Sequence, residues 1–407
     1  MAGLRGKLVM AQSGGPTAVI NSSICGVIQE ALKHHEIEGV YGAINGIMGV
    51  LHENLIDLAK ESPETVEQLR HTPSSALGSC RRKLDQTDLE RVLAVLKAHN
   101  IRYFFYNGGN DSMDTAHKIS QIASAAGYEM RVMGIPKTVD NDLVETDHCP
   151  GFGSVARWMA IAMRDAGRDT EAIANTSTAI KIIEAMGRDS GWITGATALA
   201  KQDPDDAPQL IYLPEVAFEM DKFLNDVQKA YDRLGHVLIA VSEGVRDKDG
   251  KILVKSDSVD AFGHVQLEGV GDYLANVIKK KLGIKARCDK PGTIQRVSIL
   301  GASQSDLQEA YLAGQKAVQY AVEGHSGSMV ALVRESDEPY VCTTGMVPLE
   351  KVANAKKVIP ADYISPDGNF VNDKFIRYVK PLAGELLPDY MRFQKHAVSK
   401  QLKAYQR

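Results

Sequence analysis

The chain has 407 residues, of which 44% are hydrophobic and 24% charged, and this is typical of a globular protein with two or three lobes. Its 47 basic and 51 acidic side chains give a formal net charge of −4, which argues against a non-specific nucleic-acid binder because such proteins need a basic surface. No apolar run approaches the ~18 residues of a membrane span, and the apolar piece at the N-terminus is too short for a signal peptide. The five cysteines lack metal-site or redox spacing. We therefore expect reduced thiols in a cytoplasmic protein with no nucleic-acid or membrane partner.

Strand and helix signals alternate along the first part of the chain. The predicted strands are Lys7–Ala11, Tyr103–Tyr106, Arg131–Ile135, Ala179–Glu184 and His236–Val241. A helix follows the first strand, and its apolar face consists of Ile20, Ile24, Val27, Ile28 and Ala31. A second helix follows the second strand and ends near Gly127. This alternation predicts an α/β fold with parallel sheets covered by helices on both faces.

The last ~70 residues have a different pattern. LVRESDEPYVCTTGMVPLEKV indicates strand and turn, and prolines then punctuate a looser, partly helical region. We interpret this part as a C-terminal extension, to which the pattern assigns no role.

Each predicted strand leads into a polar or glycine-rich loop. Ligands of parallel α/β folds bind at the carboxyl ends of the strands, so we expect these loops to form one cleft. The first loop, SGGPT, contains Gly14 and Gly15, whose backbone N–H groups could meet an anion at the start of a helix. A tight turn without a ligand would have the same sequence.

A second loop of this kind, NGGNDS, contains Asn110, Asp111 and Ser112. The amide and carboxylate oxygens could contact Mg²⁺, and the loop could contact phosphate oxygens. The alternative is that Asp111 or Ser112 only caps the next helix.

The stretch PKTVDND places Lys137, Thr138, Asp140 and Asp142 directly after a strand. Transfer of a phosphoryl group to a hydroxyl needs a base for the proton and cations for the phosphate oxygens. The two aspartates can supply the carboxylates and Lys137 a positive charge. Asp-rich turns also occur for structural reasons, but alternation of acids with a lysine has no evident structural use.

Further candidate side chains stand singly in loops. Arg81 and Arg82 form a basic pair in LGSCRRK, and arginine can bind phosphate through two parallel hydrogen bonds. Arg188 in AMGRDSG and Arg296 in GTIQR are single arginines, and Glu243 in VSEG could accept hydrogen bonds from sugar hydroxyls. Each of them could equally be a surface charge or a turn residue.

Together these motifs resemble the phosphofructokinase family, in the family's order, over roughly residues 5 to 310. The shared motifs are SGGPT, LGSCR, GGNDS, GIPKTVDND, EAMGR, VSEG and GTIQR. The resemblance implies two lobes, each a largely parallel sheet flanked by helices, followed by a C-terminal extension. We expect residues 1–155 to bind pyrophosphate and magnesium, 156–310 to bind the sugar phosphate, and 311–407 to form a return segment and the extension.

The resemblance also assigns roles to individual residues. It implies that Asp140 is the base for the 1-hydroxyl of fructose 6-phosphate, with Asp142, Lys137 and Asp111 around the transferring phosphoryl group. The residues expected at the phosphoryl donor are Gly14, Gly15, Arg81, Ser112 and Thr138. Those expected at the sugar phosphate are Thr138, Asp140, Met186, Gly187, Arg188, Glu243 and Arg296. Asn110 and Asp111 are the expected Mg²⁺ ligands, and the family further implies a homodimer or homotetramer.

Two positions predict which donor is used. Family members that use ATP have glycine where this chain has Asp111 and Lys137, whereas the pyrophosphate users resemble this chain. A carboxylate ~4 Å from a nucleotide's α-phosphate would cost about 4 kcal/mol at an effective dielectric of ~20. The sequence therefore predicts reversible phosphoryl transfer from pyrophosphate to fructose 6-phosphate, giving fructose 1,6-bisphosphate and phosphate, in glycolysis or gluconeogenesis.

Three departures from the family pattern affect these expectations. Asn110 replaces the usual aspartate that helps to hold magnesium, and VSILGASQSD after GTIQR lacks a glycine pair and a second arginine. Ala179, with Lys181 nearby, replaces an arginine that some relatives send across a subunit boundary.

Other functions are weaker alternatives. They are an ATP-dependent or sedoheptulose-7-phosphate kinase of the same family, and a non-catalytic sugar-phosphate sensor, although the sensor would have little reason to keep Asp140 and Asp142. A nucleotide-binding dehydrogenase is disfavoured because no G-x-G-x-x-G follows a strand at Gly14 or Gly108.

Overall fold

The computed structural model describes residues 3–259, 265–267, 269–353, 355–386 and 388–402. Side chains are described for these residues except 255–259 and 265–267. The outer ends of the expected lobes, Met1 and Arg407, lie outside the described residues, and the boundaries near residues 155 and 310 stay a prediction.

The strands within the described residues are, in chain order, β1 (Gly6–Gln12), β2 (Ile37–Ala43), β3 (Leu55–Asp57), β4 (Ile101–Gly108), β5 (Arg131–Pro136), β6 (Ile180–Ala185), β7 (Leu210–Tyr212), β8 (Val237–Ser242), β9 (Lys255–Val259), β10 (Val265–Leu267), β11 (Ala286–Asp289), β12 (Ser328–Asp337) and β13 (Tyr340–Pro348).

The α-helices are α1 (Ile20–Ala31), α2 (Ile47–Leu51), α3 (Pro63–Leu69), α4 (Gln86–Ala98), α5 (Asn110–Ala125), α6 (Phe152–Ile173), α7 (Trp192–Ala196), α8 (Met220–Leu234), α9 (Val270–Leu282), α10 (Ile294–Val297), α11 (Gln304–Val322), α12 (Leu349–Val352) and α13 (Asp373–Ala383). Short 3₁₀ turns lie at Leu58–Lys60, Thr197–Ala200, Ile299–Gly301 and Ala361–Tyr363. Among the described residues, no helix combines the length and apolar character needed to cross a membrane.

Two main sheets organise the chain. The larger has seven strands in the order β13-β12-β5-β4-β1-β2-β3, and the other has four in the order β11-β6-β8-β7. All pairs in the smaller sheet are parallel, and in the larger sheet only the outermost pair at each edge is antiparallel. Strands β9 and β10 form a separate antiparallel pair. The predicted α/β fold with largely parallel, helix-flanked sheets is confirmed.

The central strand β4 shows why the sheets are covered on both faces. Alternate side chains of a strand point to opposite faces, and here both sets are apolar and buried. Phe104 and Tyr106 pack in one core beside α4 and α5, whereas Tyr103 and Phe105 pack in another beside α1 and α11. This leaves only the strand ends available to a polar ligand.

The C-terminal extension returns to both sheets. Strands β12 and β13 form a hairpin, as predicted, and Ser328 and Met329 of β12 pair in parallel with Met133 and Gly134 of β5. Helix α13 then packs against α6 on the second sheet, where Phe375 stacks on Trp192 at a centroid distance of 5.9 Å. The extension is therefore an integral part of both cores.

Candidate active site

A cleft of about 350 Å³ lies at the carboxyl ends of β1, β4, β5, β6 and β8. The predicted site residues that line it are Gly14, Gly15, Arg81, Asn110, Asp111, Ser112, Lys137, Thr138, Asp140, Asp142, Met186, Arg188, Glu243 and Arg296. Gly187 does not line it, and neither does the candidate Arg82. The expectation that the five loops share one cleft is confirmed, while the role assigned to each residue stays a prediction.

The first glycine loop is held in shape by the LGSCR segment. Gly14 has φ 78°, a left-handed conformation that glycine adopts without strain. Its N–H donates to the carbonyl of Cys80 at 3.2 Å, and its carbonyl accepts from Ser79 Oγ at 2.6 Å. These bonds hold Arg81, which follows Cys80, beside the glycine loop expected to contact the donor.

Lys137 joins the first glycine loop to the end of β5. Its ammonium donates to the carbonyl of Gly15 at 2.9 Å, and a Cβ on Gly14 would lie 3.0 Å from the same nitrogen. Burial, together with the positive charges of Arg296 and Arg81, lowers its pKa to about 8. The lysine is thus a buried cation whose charge is held where a phosphate would offset it.

Asp140 and Asp142 are placed by the residue between them. Asn141 has φ 53°, and its buried side chain accepts from the N–H of Cys149 at 3.0 Å and donates to Tyr378 Oη at 2.9 Å. An asparagine tolerates this left-handed turn better than most residues. The turn keeps the two carboxylates on the cleft side while Asn141 points into the core.

Both carboxyl groups have raised pKa values. Burial is the main cause for Asp140, although the nearby charges of Lys137, Arg188 and Arg296 oppose it. Burial and the negative charge of Asp140 raise the pKa of Asp142 to about 7. Two neighbouring carboxyls whose pKa values are both raised are suited to exchange a proton with a hydroxyl group.

The other side of the cleft comes from the second sheet. Glu243 follows β8, accepts from the N–H of Gly187 at 3.2 Å, and has its pKa raised to about 7 mainly by burial. Arg188 and Arg296 line the cleft, and the Nε atom of each is buried without a hydrogen-bond partner. Gly187, with φ 133°, supports this side through its backbone rather than by facing the cleft.

The second glycine loop begins α5. Gly109 is the residue before the helix, so neither Asp111 nor Ser112 acts as the helix cap, and both line the cleft. Asn110 donates through Nδ2 to the carbonyl of Ala355 at 2.8 Å, while its Oδ1 is buried and lacks a partner. An oxygen in this state beside a carboxylate is a suitable ligand for a hard divalent cation.

Several features of the cleft were not found from the sequence. Arg82 lies at the surface, where it pairs with Asp88 at 2.8 Å, and Lys83 lines the cleft in its place. Asp189 and Ser190 also line it, and Ser190 donates to the carbonyl of Asp140 at 3.0 Å.

The most distant missed residue is Lys356, which reaches the cleft from the C-terminal extension. The only signal in the sequence was a pair of lysines before Val358 and Pro360, far from every motif.

Comparison with known proteins gives a consistent result. Residues 7–321 match the family described as phosphofructokinase. The chain is similar to the pyrophosphate–fructose 6-phosphate 1-phosphotransferase of Xanthomonas campestris, at 45% identity over 98% of this chain and 99% of that protein. The protein of the same name from Halomonas elongata is 44% identical over 96% and 97% of the two chains. A crystal structure titled pyrophosphate-dependent phosphofructokinase, from Marinobacter aquaeolei, superposes with a TM-score of 0.86 at 40% identity and covers 98% of both chains.

Proposed function

Because the chain belongs to the phosphofructokinase family, we propose that it transfers a phosphoryl group from pyrophosphate to the 1-hydroxyl of fructose 6-phosphate. The products are fructose 1,6-bisphosphate and phosphate, and the reaction is reversible. The observation that carries the proposal is the meeting, in one cleft, of the Asp140–Asp142 pair with Lys137, Arg81 and Arg296. Near full-length similarity to proteins with this activity in their names supports the choice of donor and acceptor.

Asp140 is the proposed base. Its carboxylate accepts the proton of the 1-hydroxyl as that oxygen attacks the phosphoryl group. The N–H of Asp140 donates to Thr138 Oγ1 at 3.1 Å and its carbonyl accepts from Ser190, so its backbone is fixed from both sides of the cleft. A raised pKa suits this role because it strengthens the base.

The cations bind and steady the phosphate oxygens. Lys137, Gly14, Gly15 and Arg81 all line the cleft. In the proposed arrangement Lys137 and the Gly14–Gly15 backbone contact the donor, and Arg81 binds between the donor and the sugar phosphate. Arg188 and Arg296 are the proposed partners of the 6-phosphate, with Met186 and Glu243 beside the sugar. Charge held in place before the reaction stabilises the transition state without reorganisation.

Phosphotransferases of this family generally use a divalent metal, and we propose that it is Mg²⁺ here. The unpartnered Oδ1 of Asn110 and the carboxylate of Asp111 fit such an ion, since Mg²⁺ prefers oxygen ligands and keeps several waters. When bound, the ion neutralises charge on the phosphate oxygens.

Asp111 supports pyrophosphate over ATP as donor. Its carboxylate in the cleft would repel the additional phosphate of a nucleotide, at a cost of about 4 kcal/mol for ~4 Å separation and an effective dielectric of ~20. Pyrophosphate has no third phosphate and avoids this repulsion.

A coupled assay with purified protein tests the proposal. We expect turnover of fructose 6-phosphate with pyrophosphate and Mg²⁺, and little with ATP, and sedoheptulose 7-phosphate is assayed in parallel as the alternative acceptor. Asp140→Asn should lower kcat by about 10²- to 10⁴-fold, the usual contribution of a general base. Comparable rates with ATP would refute the assignment of pyrophosphate as the donor. Full activity of the Asp140 variant would show that the activity comes from a contaminating enzyme and that this protein is a non-catalytic sensor.

A homodimer or homotetramer in the cytoplasm also belongs to the proposal. The five cysteines are free, as in a reducing compartment. Sedimentation of the purified protein as a single chain would contradict the proposed assembly.

A further inference from the structure

The segment 355–360 reaches the cleft through Lys356, although it lies outside residues 7–321, which match the family. The carbonyl of Ala355 accepts from Asn110 on the second glycine loop at 2.8 Å. The N–H of Lys357 donates to the carbonyl of Asp142 at 2.8 Å, and the N–H of Ile359 donates to Glu215 at 3.0 Å. The backbone on both sides of Lys356 is therefore tied to the residues proposed to hold the donor and the transferring group.

Lys357 anchors this segment in the core. Its ammonium donates to the carbonyl of Asp147 at 2.7 Å and to that of Thr146 at 3.2 Å, and lies 5.4 Å from the Trp192 ring centre. Adjacent residues of an extended chain point in opposite directions. With Lys357 fixed inward, the side chain of Lys356 is directed into the cleft, which it lines.

The partner of Lys356 in this structure, Asp189, has a second cation besides it. The Lys356 ammonium pairs with Asp189, which also accepts from Arg246 at 2.7 Å. If the lysine left, Asp189 would keep its arginine and would not become an unpaired charge. The Lys356 side chain is 47% exposed, so breaking its ion pair with Asp189 costs little free energy.

The charges of the cleft are unevenly distributed. Lys137, Arg81 and Arg296 lie close enough to one another to disfavour one another's charge. Lys356 lies near enough to Asp142 to favour the negative charge of that carboxylate. It is therefore a further cation of the cleft, beside the carboxylate pair and supplied by a different segment from the main cluster.

We propose that the Lys356 ammonium moves away from Asp189 and binds an anionic oxygen of pyrophosphate. Lys356 is thereby a donor-binding residue supplied by the C-terminal extension. This inference rests on the proposed function. The donor is then held by Lys356 from the extension as well as by Lys137 and Arg81. Pyrophosphate rather than the 6-phosphate is the partner because the residues on either side of Lys356 bond to Asn110 and Asp142. The 6-phosphate residues Arg188 and Arg296 instead follow β6 and β11 of the second sheet.

Steady-state kinetics of Lys356→Met and Lys356→Arg test this proposal. A charged hydrogen bond made equally to bound donor and transition state changes KM rather than kcat. For Lys356→Met we expect KM for pyrophosphate to rise by about ten- to a hundredfold, with KM for fructose 6-phosphate and kcat nearly unchanged. Lys356→Arg should recover most of the affinity, and Lys351→Met, at an exposed lysine of α12, should behave as wild type.

Asp189→Asn and calorimetric binding of magnesium pyrophosphate separate this role from a structural one. If the Lys356–Asp189 pair only holds the extension, the two single variants should weaken binding and lower Tm to the same extent, which would overturn the proposal. An unchanged KM for pyrophosphate in Lys356→Met, or a rise for fructose 6-phosphate alone, would overturn it as well. Wild-type turnover with pyrophosphate tests the reaction itself, so failure of that proposal is distinguishable from failure of this one.

Discussion

At the scale of single residues, the cleft depends on a few backbone conformations that place charges. Gly14 and Asn141 both have positive φ, and each lies at a turn directly before or between groups proposed to act on phosphate. Gly15 shows how little space is left, since a Cβ there would lie 2.8 Å from Nη1 of Arg296. Small residues and left-handed turns are required here because the backbone itself lies close to the expected donor.

The choice of donor is a prediction at this scale. Replacing Asp111 and Lys137 together by glycine should lower kcat/KM with pyrophosphate by about a thousandfold or more, since transition-state charge stabilisation by preorganised groups is of this size. The coupled assay measures it.

A matched control removes one acid and one lysine from α5, the helix that contains Asp111. Asp114→Asn with Lys118→Met removes a partly exposed ion pair of α5, so it should leave kcat/KM within about twofold. Unchanged pyrophosphate kinetics in the glycine variant would refute the roles of both residues.

The pH profile is a second prediction from single residues. The Asp140–Asp142 pair must be ionised for proton acceptance, and with the pKa of Asp142 raised to about 7, kcat/KM should fall as the pH drops below that value. Lys137, whose pKa is lowered to about 8, should lose its charge as the pH rises through that value and weaken donor binding. The expected profile is a bell with its maximum between the two.

Lys137→Arg identifies the alkaline limb. An arginine stays charged over the whole range, so any activity that it retains should lack that limb. A wild-type profile that is flat from about pH 6 to 9 would contradict the assignment.

At the scale of elements, α13 ties the C-terminal extension to the active site. Phe375 is fully buried and stacks on Trp192, while Tyr378 accepts a hydrogen bond from Asn141, the residue between the two aspartates proposed to be catalytic. The apolar face of α13, which includes Val379 and Leu382, packs against α6. The helix therefore supports the geometry of the PKTVDND loop without entering the cleft.

This packing predicts the cost of one substitution in α13. Phe375→Ala should lower the free energy of unfolding by about 3–5 kcal/mol, because it leaves a cavity at a fully buried ring. Denaturant unfolding measures this. Phe393→Ala, where the ring is 94% exposed, should change stability by less than about 0.5 kcal/mol. Equal effects at the two positions would show that α13 does not pack as described.

At the scale of the whole molecule, one buried charge cluster connects parts that are distant in sequence. His148, before α6, contacts Asp147 at 2.9 Å and Glu309 of α11 at 2.7 Å. Arg334 of the hairpin also contacts Asp147, at 3.0 Å, and Tyr340 donates to Glu309 at 2.5 Å. The cluster joins the edge of the larger sheet to the helices behind the cleft.

This cluster predicts how stability depends on pH. Burial alone would lower the pKa of His148, but Glu309 and Asp147 outweigh it and raise the value to about 9 from 6.5. A raised folded-state pKa means that the stabilisation is complete below about pH 6.5 and is lost as the pH rises through about 9.

His148→Gln tests it. At about pH 6 the variant should lose about 3 kcal/mol or more, as expected when a buried pair is broken, and the difference from wild type should shrink toward pH 9. Thermal unfolding of the wild type and the variant at several pH values measures this difference in stability. A difference that stays constant with pH would show that His148 is not protonated in the folded protein.

The sequence predicted the parts of the site that are local in the chain. Strands such as Lys7–Ala11 and Arg131–Ile135 could be recognised because buried parallel strands are continuous apolar runs, and each is followed by a loop whose residue types suit phosphate. The motifs around Asp140, Arg188 and Arg296 were close enough to a family pattern to predict one cleft, and the structure brings them together.

What the sequence alone determined was the α/β fold, the loops of the cleft and the chemical types within it, because each is encoded within a few consecutive residues. Only the tertiary structure decided that Lys356 lies in the cleft, that Arg82 points away from it, and that Tyr378 supports Asn141. These depend on contacts between segments up to hundreds of residues apart, as between Asn110 and Ala355. Such contacts are set by packing and burial, which leave no local signal in the order of residues.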